Sequence, residues 1–404
     1  MTRDQRQQEV IENWKKVKRG TLLAATGTGK TRIALMLIEQ LVIKNPKLTC
    51  LVTVPTENLK DQWLLQVIER NLSQYVDVMV INTAVKKARE YKLLIVDEAH
   101  TAAGDTLQKI FTSVTYSALL CLTATLDRLD GKEEIIKKYA PVFDEISLED
   151  ALLNGWVAQY KQYKIILEVD LTTYKMHNVK FMSHFSFFDY NFDLAMKCAT
   201  DNNFRFAYAN RSGLQIKDIL IHGLGFIREM KARKEFIYNH PIKTEIANKI
   251  IQSRKGKKII TFNKTIDAAK RLCCGELYHS GITKKARAKL IELFNETEDA
   301  VMHTAKAMDI GADIKGLEVG IILSGDSSSI TKRQRLGRTI RAEKDKIAEM
   351  FHFVIKGTVE EEWFKKSNKG LTHIDLDETQ LNSFLLNGQI KEKKHKESRF
   401  LFRF

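Results

Sequence analysis

The chain has 404 residues, 44% of them hydrophobic, and its 65 Lys and Arg against 50 Asp and Glu give a formal net charge of +15. That length and apolar content exclude disorder as the default and a single ordinary core, and predict roughly two to three domains. The basic excess favours a polyanionic partner through long-range attraction, and no apolar run approaches membrane-spanning length, so no membrane partner is expected.

The amino-terminal MTRDQRQQEV lacks the apolar core of a signal peptide. In the first third, short apolar runs then alternate with amphipathic stretches. GTLLAAT (20–26), LTCLVTVP (48–55), VDVMVIN (76–82), KLLIVDEAH (92–100) and SALLCLTAT (117–125) predict buried strands. Between them KTRIALMLIEQLVI (30–43) and ENLKDQWLLQVIERNL (57–72) carry helical periodicity. This alternation predicts a parallel sheet covered on both faces. Residues 170–243 change texture, with aromatics in KFMSHFSFFDYNF (180–192) and FRFAYANR (204–211), then the helical, basic LGFIREMKARKEFIYN (224–239). A mostly helical insertion is expected there. Core packing is the favoured use of its aromatics, and Phe185, Phe187 and Phe188 are the candidates for a strand-separating wedge.

A second α/β unit is announced by the strands KKIITFN (257–263), AVMHTA (300–305) and VGIILSG (319–325). The expected organisation is a first domain over 1–148, a second over 149–366 with the insertion at about 170–243, and a basic tail over 367–404 ending in KEKKHKESRFLFRF. That tail is read as either a mobile arm or a small docked segment. The five cysteines, Cys50, Cys121, Cys198, Cys273 and Cys274, show no paired metal-knuckle spacing, and free thiols in a reducing cytoplasm are expected.

Two stretches carry chemistry by residue type and place. In LLAATGTGKTRIALML (22–37) a glycine-containing loop joins a strand to a helix. Gly27 and Gly29 let backbone N–H groups approach a phosphate, Lys30 would reach the outer phosphates, and the Thr31 hydroxyl would ligate Mg²⁺. The strict phosphate-loop pattern fails at its first position, which is Ala24. In LLIVDEAH (93–100) a strand delivers Asp97 and Glu98 to the carboxyl edge of the sheet, where such sheets bind ligands. Asp97 suits the metal, and Glu98 suits orienting and deprotonating a water.

ATGTGKT, DEAH (97–100), LTAT (122–125) and QRLGRTIR (334–341), in this order, resemble the motifs of superfamily 2 helicases across nearly the whole chain. VPTENLKDQW (54–63), IITFNKTIDAAKRL (259–272), LYHSGITKKAR (277–287), TAKAMDIGADI (304–314) and GTVEEEW (357–363) resemble further motifs of that series. LTATLDRLDGK (122–132) adds the Arg-x-Asp element, Arg128 and Asp130, and so resembles repair-type DNA translocases and the branched-DNA helicases of tailed phages. Two departures stand out. The adenine-reading glutamine of the family follows an aromatic residue, whereas here Gln5 and Gln7 follow none. Gln7 is preferred because Val10, Ile11 and Trp14 continue it at helical spacing. Leu126 also stands where many relatives have proline.

The resemblance implies two RecA-like parallel-sheet motor domains with ATP and Mg²⁺ in the cleft between them. Gln7, Thr26, Gly27, Thr28, Gly29, Lys30 and Thr31 would hold the nucleotide, with Asp97 and Thr31 on the metal and Glu98 on the water. From the second domain Gly311, Asp313, Arg338 and Arg341 would complete the site, the two arginines as fingers on the γ-phosphate. Gln334 would contact phosphate, water or His100. On a helix Gln334, Arg338 and Arg341 share one face, so three groups can reach one ligand. Pro55, Thr56, Thr83, Phe262, His279 and Thr304 would meet the strand through its phosphates. His100, Thr123, Thr125, Arg128 and Asp130 would couple the two events. The implied activity is an ATP-dependent DNA helicase or translocase that acts without sequence preference on branched or forked DNA, in a bacterial or phage-infected cytoplasm. An RNA helicase, the motor subunit of a restriction complex and a weakly hydrolysing nucleotide-gated scaffold are the alternatives.

Overall fold

The computed structural model describes residues 1–25, 27–87, 90–104, 107–126, 133–156, 160–305, 314, 316–325, 347–368 and 372–388. Six strands, β1 (Arg19–Ala24), β2 (Cys50–Val54), β3 (Val76–Val80), β4 (Glu90–Asp97), β5 (Thr115–Thr123) and β6 (Val142–Ile146), form the first sheet in the order β3-β2-β4-β5-β1-β6. All its pairings are parallel. Alternate residues enter opposite cores. Cys50, Val52, Val54, Leu93, Ile95, Leu120 and Leu122 join one, and Leu51, Leu94, Val96, Leu119 and Cys121 join the other. A strand buried on both sides has no polar face, which is why its sequence reads as an unbroken apolar run. Cys50 and Cys121 are buried and free, and burial pushes both thiols up.

Helix α1 (Arg3–Val17) opens with a capping box in which Thr2 and Gln5 each accept the other's backbone N–H. Gln7, Val10, Ile11 and Trp14 form its buried face. Arg6 ties the helix to β6 by pairing with Asp144, which also accepts from Asn13 Nδ2 at 3.0 Å. Burial alone would raise the Asp144 carboxyl, but the hydrogen bonds from Arg6 and Asn13 outweigh it and hold the group below its ordinary 3.8. A depressed carboxyl stabilises above its unfolded pKa and loses that contribution as pH falls through the folded one. Asp144→Asn should therefore cost about 1.5–3 kcal/mol near neutral pH in urea unfolding, with the gap to wild type closing in strong acid.

The second sheet contains β7 (Tyr160–Leu167), β8 (Ile259–Asn263), β9 (Glu276–His279), β10 (Val301–Ala305), β11 (Val319–Ile322), β12 (Ala348–Ile355) and β13 (Ile374–Leu376). Its order is β13-β7-β12-β11-β8-β10-β9, again with every pairing parallel. Trp156 packs on the first core and Tyr160 on the second. The described part of the expected tail is docked on the second sheet. There β13 pairs with β7, and Leu381 and Phe384 of the helix Glu378–Asn387 lie in the core.

Between β7 and β8 the helices Thr172–Ser186, Phe192–Thr200, Asn202–Ser212 and Ile216–Asn239 enclose a core of their own. Phe188 is 0% exposed at its centre, and Phe185 and Phe187 pack around it. Phe188 is thus core, with Phe185 and Phe187 partly buried against it, whereas Tyr190 and Phe192 of the same run are 58% and 50% exposed. No helix among the described residues is long and apolar enough to cross a membrane.

Candidate active site

The order β4-β5-β1 brings three loop exits side by side at the carboxyl edge of the first sheet. From β1 the chain turns through Gly27 (φ 89°) and Gly29 (φ 95°) into helix α2 (Lys30–Lys44). Left-handed backbone at both positions is what glycine permits, and a β-carbon at Gly29 would lie 2.5 Å from Gln7 Nε2. Lys30, almost buried, donates from Nζ to Ala24 O at 3.0 Å, so its ammonium lies across the mouth of the loop. Thr28 is buried, and Thr31 is partly exposed in the first turn of α2.

Of the two candidate glutamines, Gln5 is spent on the helix cap, whereas Gln7 is buried and donates to Thr28 O at 2.8 Å. Arg32 Nη1 donates to Gln7 Oε1 at 3.0 Å and also pairs with Asp4. Arg3 donates to Gly27 O at 2.7 Å and to Thr28 O at 3.3 Å.

At the end of β4, Asp97 and Glu98 are 5% and 2% exposed. Trp63 Nε1, from helix α3 (Glu57–Glu69), donates to Asp97 Oδ2 at 2.8 Å, and the Glu98 N–H donates to Asp97 Oδ1 at 2.9 Å. These two bonds fix the carboxylate plane. Glu98 itself adopts φ 49° and ψ 50°, an unfavourable conformation for a side-chain-bearing residue. The N–H and hydroxyl of Thr101 hold its carbonyl there, both at 2.9 Å. Backbone strain of this kind gathers at functional sites.

A hydrogen-bonded line links the ends of β4 and β5. His100 Nδ1 lies 3.7 Å from Glu98 Oε2 and 3.1 Å from Thr123 Oγ1, and Thr123 donates its hydroxyl to Thr125 O at 2.8 Å. A hydroxyl has one proton. With the Thr123 hydroxyl directed at Thr125 O, the matching tautomer of His100 carries its hydrogen on Nδ1.

The expected strand contacts divide. Pro55 and Thr56 leave β2, where Thr56 caps α3 by accepting from Leu59 N, and Thr83 is exposed after β3. All three sit on the same sheet edge as the phosphate loop. His279 ends β9, partly exposed. Nearby, Lys284 Nζ reaches Asp61 of α3 at 3.1 Å, an exposed pair between the two domains that adds little stability. Phe262 and Thr304 are buried. Phe262 is 4% exposed within a core of Ile260, Tyr278 and Met302. Thr304 is 3% exposed and donates its hydroxyl to Thr261 O at 2.9 Å. Both side chains belong to the interior, because every residue of β8 and most of β10 are covered on both faces. Thr26, Arg128, Asp130, Gly311, Asp313, Gln334, Arg338 and Arg341 lie outside the described residues. Sequence reasoning missed Trp63, Arg3 and Arg32, although Trp63 closes the VPTENLKDQW stretch.

Two parallel α/β sheets in tandem, the first with a glycine loop and an acidic pair at its carboxyl edge, have the architecture of tandem RecA-like domains. Comparison with known proteins narrows the class. Residues 1–89 match the family model of the type III restriction enzyme res subunit, and residues 242–343 match that of the helicase conserved C-terminal domain. The DNA 3'-5' translocase XPB2 of Sulfurisphaera tokodaii is 26% identical over 393 residues, covering 88% of this chain and 82% of its own. The Hef helicase domain of Pyrococcus furiosus superposes with a TM-score of 0.54 at 15% identity, covering 89% of this chain and 97% of that one. Dbp5 of S. cerevisiae, bound to RNA and ADP BeF3, gives 0.58 at 14% identity over 91% and 88%. The two structures show the fold. The family models and the relative support a superfamily 2 helicase, a nucleic-acid-dependent ATPase.

Proposed function

We propose that this chain is an ATP-dependent DNA translocase that remodels branched or forked DNA. The observation that carries it is the single edge where the phosphate loop, the Asp97–Glu98 pair and the His100–Thr123–Thr125 line meet. The resemblance of Arg128 and Asp130 to the repair-type element, and a relative named as a DNA translocase over most of the chain, favour DNA. Shorter matches to proteins named as putative RNA helicases of African swine fever virus, 36% identical over 136 residues, keep RNA as the alternative.

In this reading the N–H groups of the loop and Lys30 bind the triphosphate, whose arrival draws Nζ away from Ala24 O. Thr31 and Asp97 offer the hard oxygen donors that Mg²⁺ requires, and the bonds from Trp63 and Glu98 N aim the carboxylate. The ion would neutralise phosphate charge when bound. Glu98 orients the attacking water and accepts its proton. Arg338 and Arg341 of the second domain act as fingers on the γ-phosphate, so hydrolysis requires the cleft to close. His100 and Thr123 transmit the state of Glu98 to the exit of β5. Pro55, Thr56, Thr83 and His279 meet the strand through its phosphates, which predicts salt-sensitive, sequence-independent binding.

DNA should stimulate ATP hydrolysis, and Lys30→Ala should abolish that hydrolysis. Turnover that is equal with and without any nucleic acid would overturn the reading, and exclusive unwinding of RNA duplexes in a panel with forks and Holliday junctions would replace DNA by RNA. A second reading, the motor subunit of a restriction complex, draws on the match of residues 1–89 to the res subunit. That role requires a sequence-recognising partner, so full stimulation of the isolated chain by DNA of any sequence argues against it.

A further inference from the structure

The phosphate loop is held from behind. To cradle an anion, a loop turns its N–H groups inward, which leaves its carbonyls facing away and in need of donors. Here the outward carbonyls of Gly27 and Thr28 are taken by one guanidinium, Arg3 Nη2 to Gly27 at 2.7 Å and Nε to Thr28 at 3.3 Å. Gln7 shares Thr28 O at 2.8 Å, but its own Oε1 is tied to Arg32. The same two side chains explain Gly29, where a β-carbon would lie 2.5 Å from Gln7 Nε2 and 3.1 Å from Arg3 Nη2. Helix α1 that presents them is anchored to β6 through Arg6, Asp144 and the Glu145 carbonyl.

We propose that Arg3 is a positioning residue that preorganises the phosphate loop, independently of the base. This rests on the ATPase reading above and adds a division of labour. Gln7 can leave Thr28 to read a base edge because Arg3 keeps both carbonyls. The fork geometry matters, since a lysine ammonium is a point donor that cannot span two carbonyls in fixed directions. The positive charge behind the loop also favours the bound polyphosphate.

The test compares Arg3→Ala, Arg3→Lys and Gln7→Ala in the full chain with saturating DNA. Arg3→Ala should raise KM for ATP and for GTP by the same factor, about tenfold for the loss of charge-assisted hydrogen bonds, with kcat within about twofold. Inorganic tripolyphosphate, which has no base, should weaken as a competitive inhibitor by that same factor. Arg3→Lys should recover only part of the loss, whereas Gln7→Ala should change the ratio of ATP to GTP. Unchanged KM and tripolyphosphate inhibition in Arg3→Ala would overturn the proposal. So would a selective loss of ATP over GTP, which would make Arg3 a base contact. Equal loss in kcat and thermal stability, with Arg3→Lys no better than Arg3→Ala, would reduce Arg3 to a structural residue. Wild-type protein that hydrolyses no ATP with any nucleic acid, or Lys30→Ala that hydrolyses it normally, would fell the ATPase reading and with it this proposal, by a result distinct from any that the Arg3 variants give.

Discussion

Glu98→Gln should lower kcat for DNA-stimulated ATP hydrolysis by about 10²–10⁴-fold, the usual worth of a positioned general base, and leave ATP affinity within about twofold. The substitution keeps the shape of the side chain and removes its basicity. Its neighbours show why the carboxylate suits the role. Glu98 is held by its backbone, with φ 49° fixed through the two bonds from Thr101 to its carbonyl, so the side chain starts from a defined place. The nearest imidazole nitrogen, His100 Nδ1, is 3.7 Å from Oε2 and 3.1 Å from Thr123 Oγ1. Because the interaction lost belongs to the transition state, kcat and kcat/KM should fall together. Steady-state hydrolysis with a coupled assay, and nucleotide binding measured separately, would check both halves. A fall of less than tenfold would remove Glu98 as the base.

The parts of this molecule that were legible in the sequence are those whose cause is local. β1, β2, β4 and β5 are continuous apolar runs because both faces are covered, and the glycines and acids at their ends follow from chemistry within a few residues. β7 escaped because Lys161, Gln162 and Lys164 interrupt it, and only the fold supplies partners for the last two. Buried Gln162 bonds Asn368, more than two hundred positions away, and Lys164 reaches Asp375 on β13. β13 has three residues and forms only because β7 offers an edge. β6 lies at the edge of the first sheet, and two of the five residues of its sequence VFDEI are acidic. At the site, Asp97 was legible but Trp63, which aims it, was not, since nothing local marks an indole as a donor to a distant carboxylate. Phe262 is the converse case: its place in a motif suggests a strand contact, and that the surrounding sheet encloses its ring follows from pairings no local pattern reveals.

Lys243→Met should destabilise the protein by about 3–5 kcal/mol, whereas the double variant Lys243→Met/Glu360→Gln should recover most of that loss. Lys243 and Glu360 are 1% and 2% exposed and lie 2.7 Å apart. Nζ also donates to Ser324 Oγ at 3.0 Å, and Glu360 Oε2 accepts from Ile355 N at 3.0 Å. Burial drives each group toward its neutral form, Lys243 below its ordinary value and Glu360 above, against their mutual attraction. The pair is therefore weak as a source of stability, yet either charge left alone in the interior is expensive. Glutamine at 360 removes the lone charge and still accepts from Ile355 N. The pair fixes geometry instead, joining the helix Pro241–Ser253 to the exit of β11 and to the helix Val359–Ser367. Tyr174 of the insertion accepts from Val359 N at 3.0 Å, so the insertion is rooted on that same helix. Linkage gives the single variant a pH signature. Glu360 already titrates above 4.5 beside Lys243, and without that partner its folded value rises further. A carboxyl raised on folding stabilises below its unfolded pKa, and that contribution is lost as pH rises through the folded value. Lys243→Met should thus fall further behind wild type as pH rises from about 4.5, and the double variant should not. Urea unfolding of the three proteins across that range checks both claims, and a single variant whose deficit is independent of pH would show that Glu360 is not the buried charge responsible.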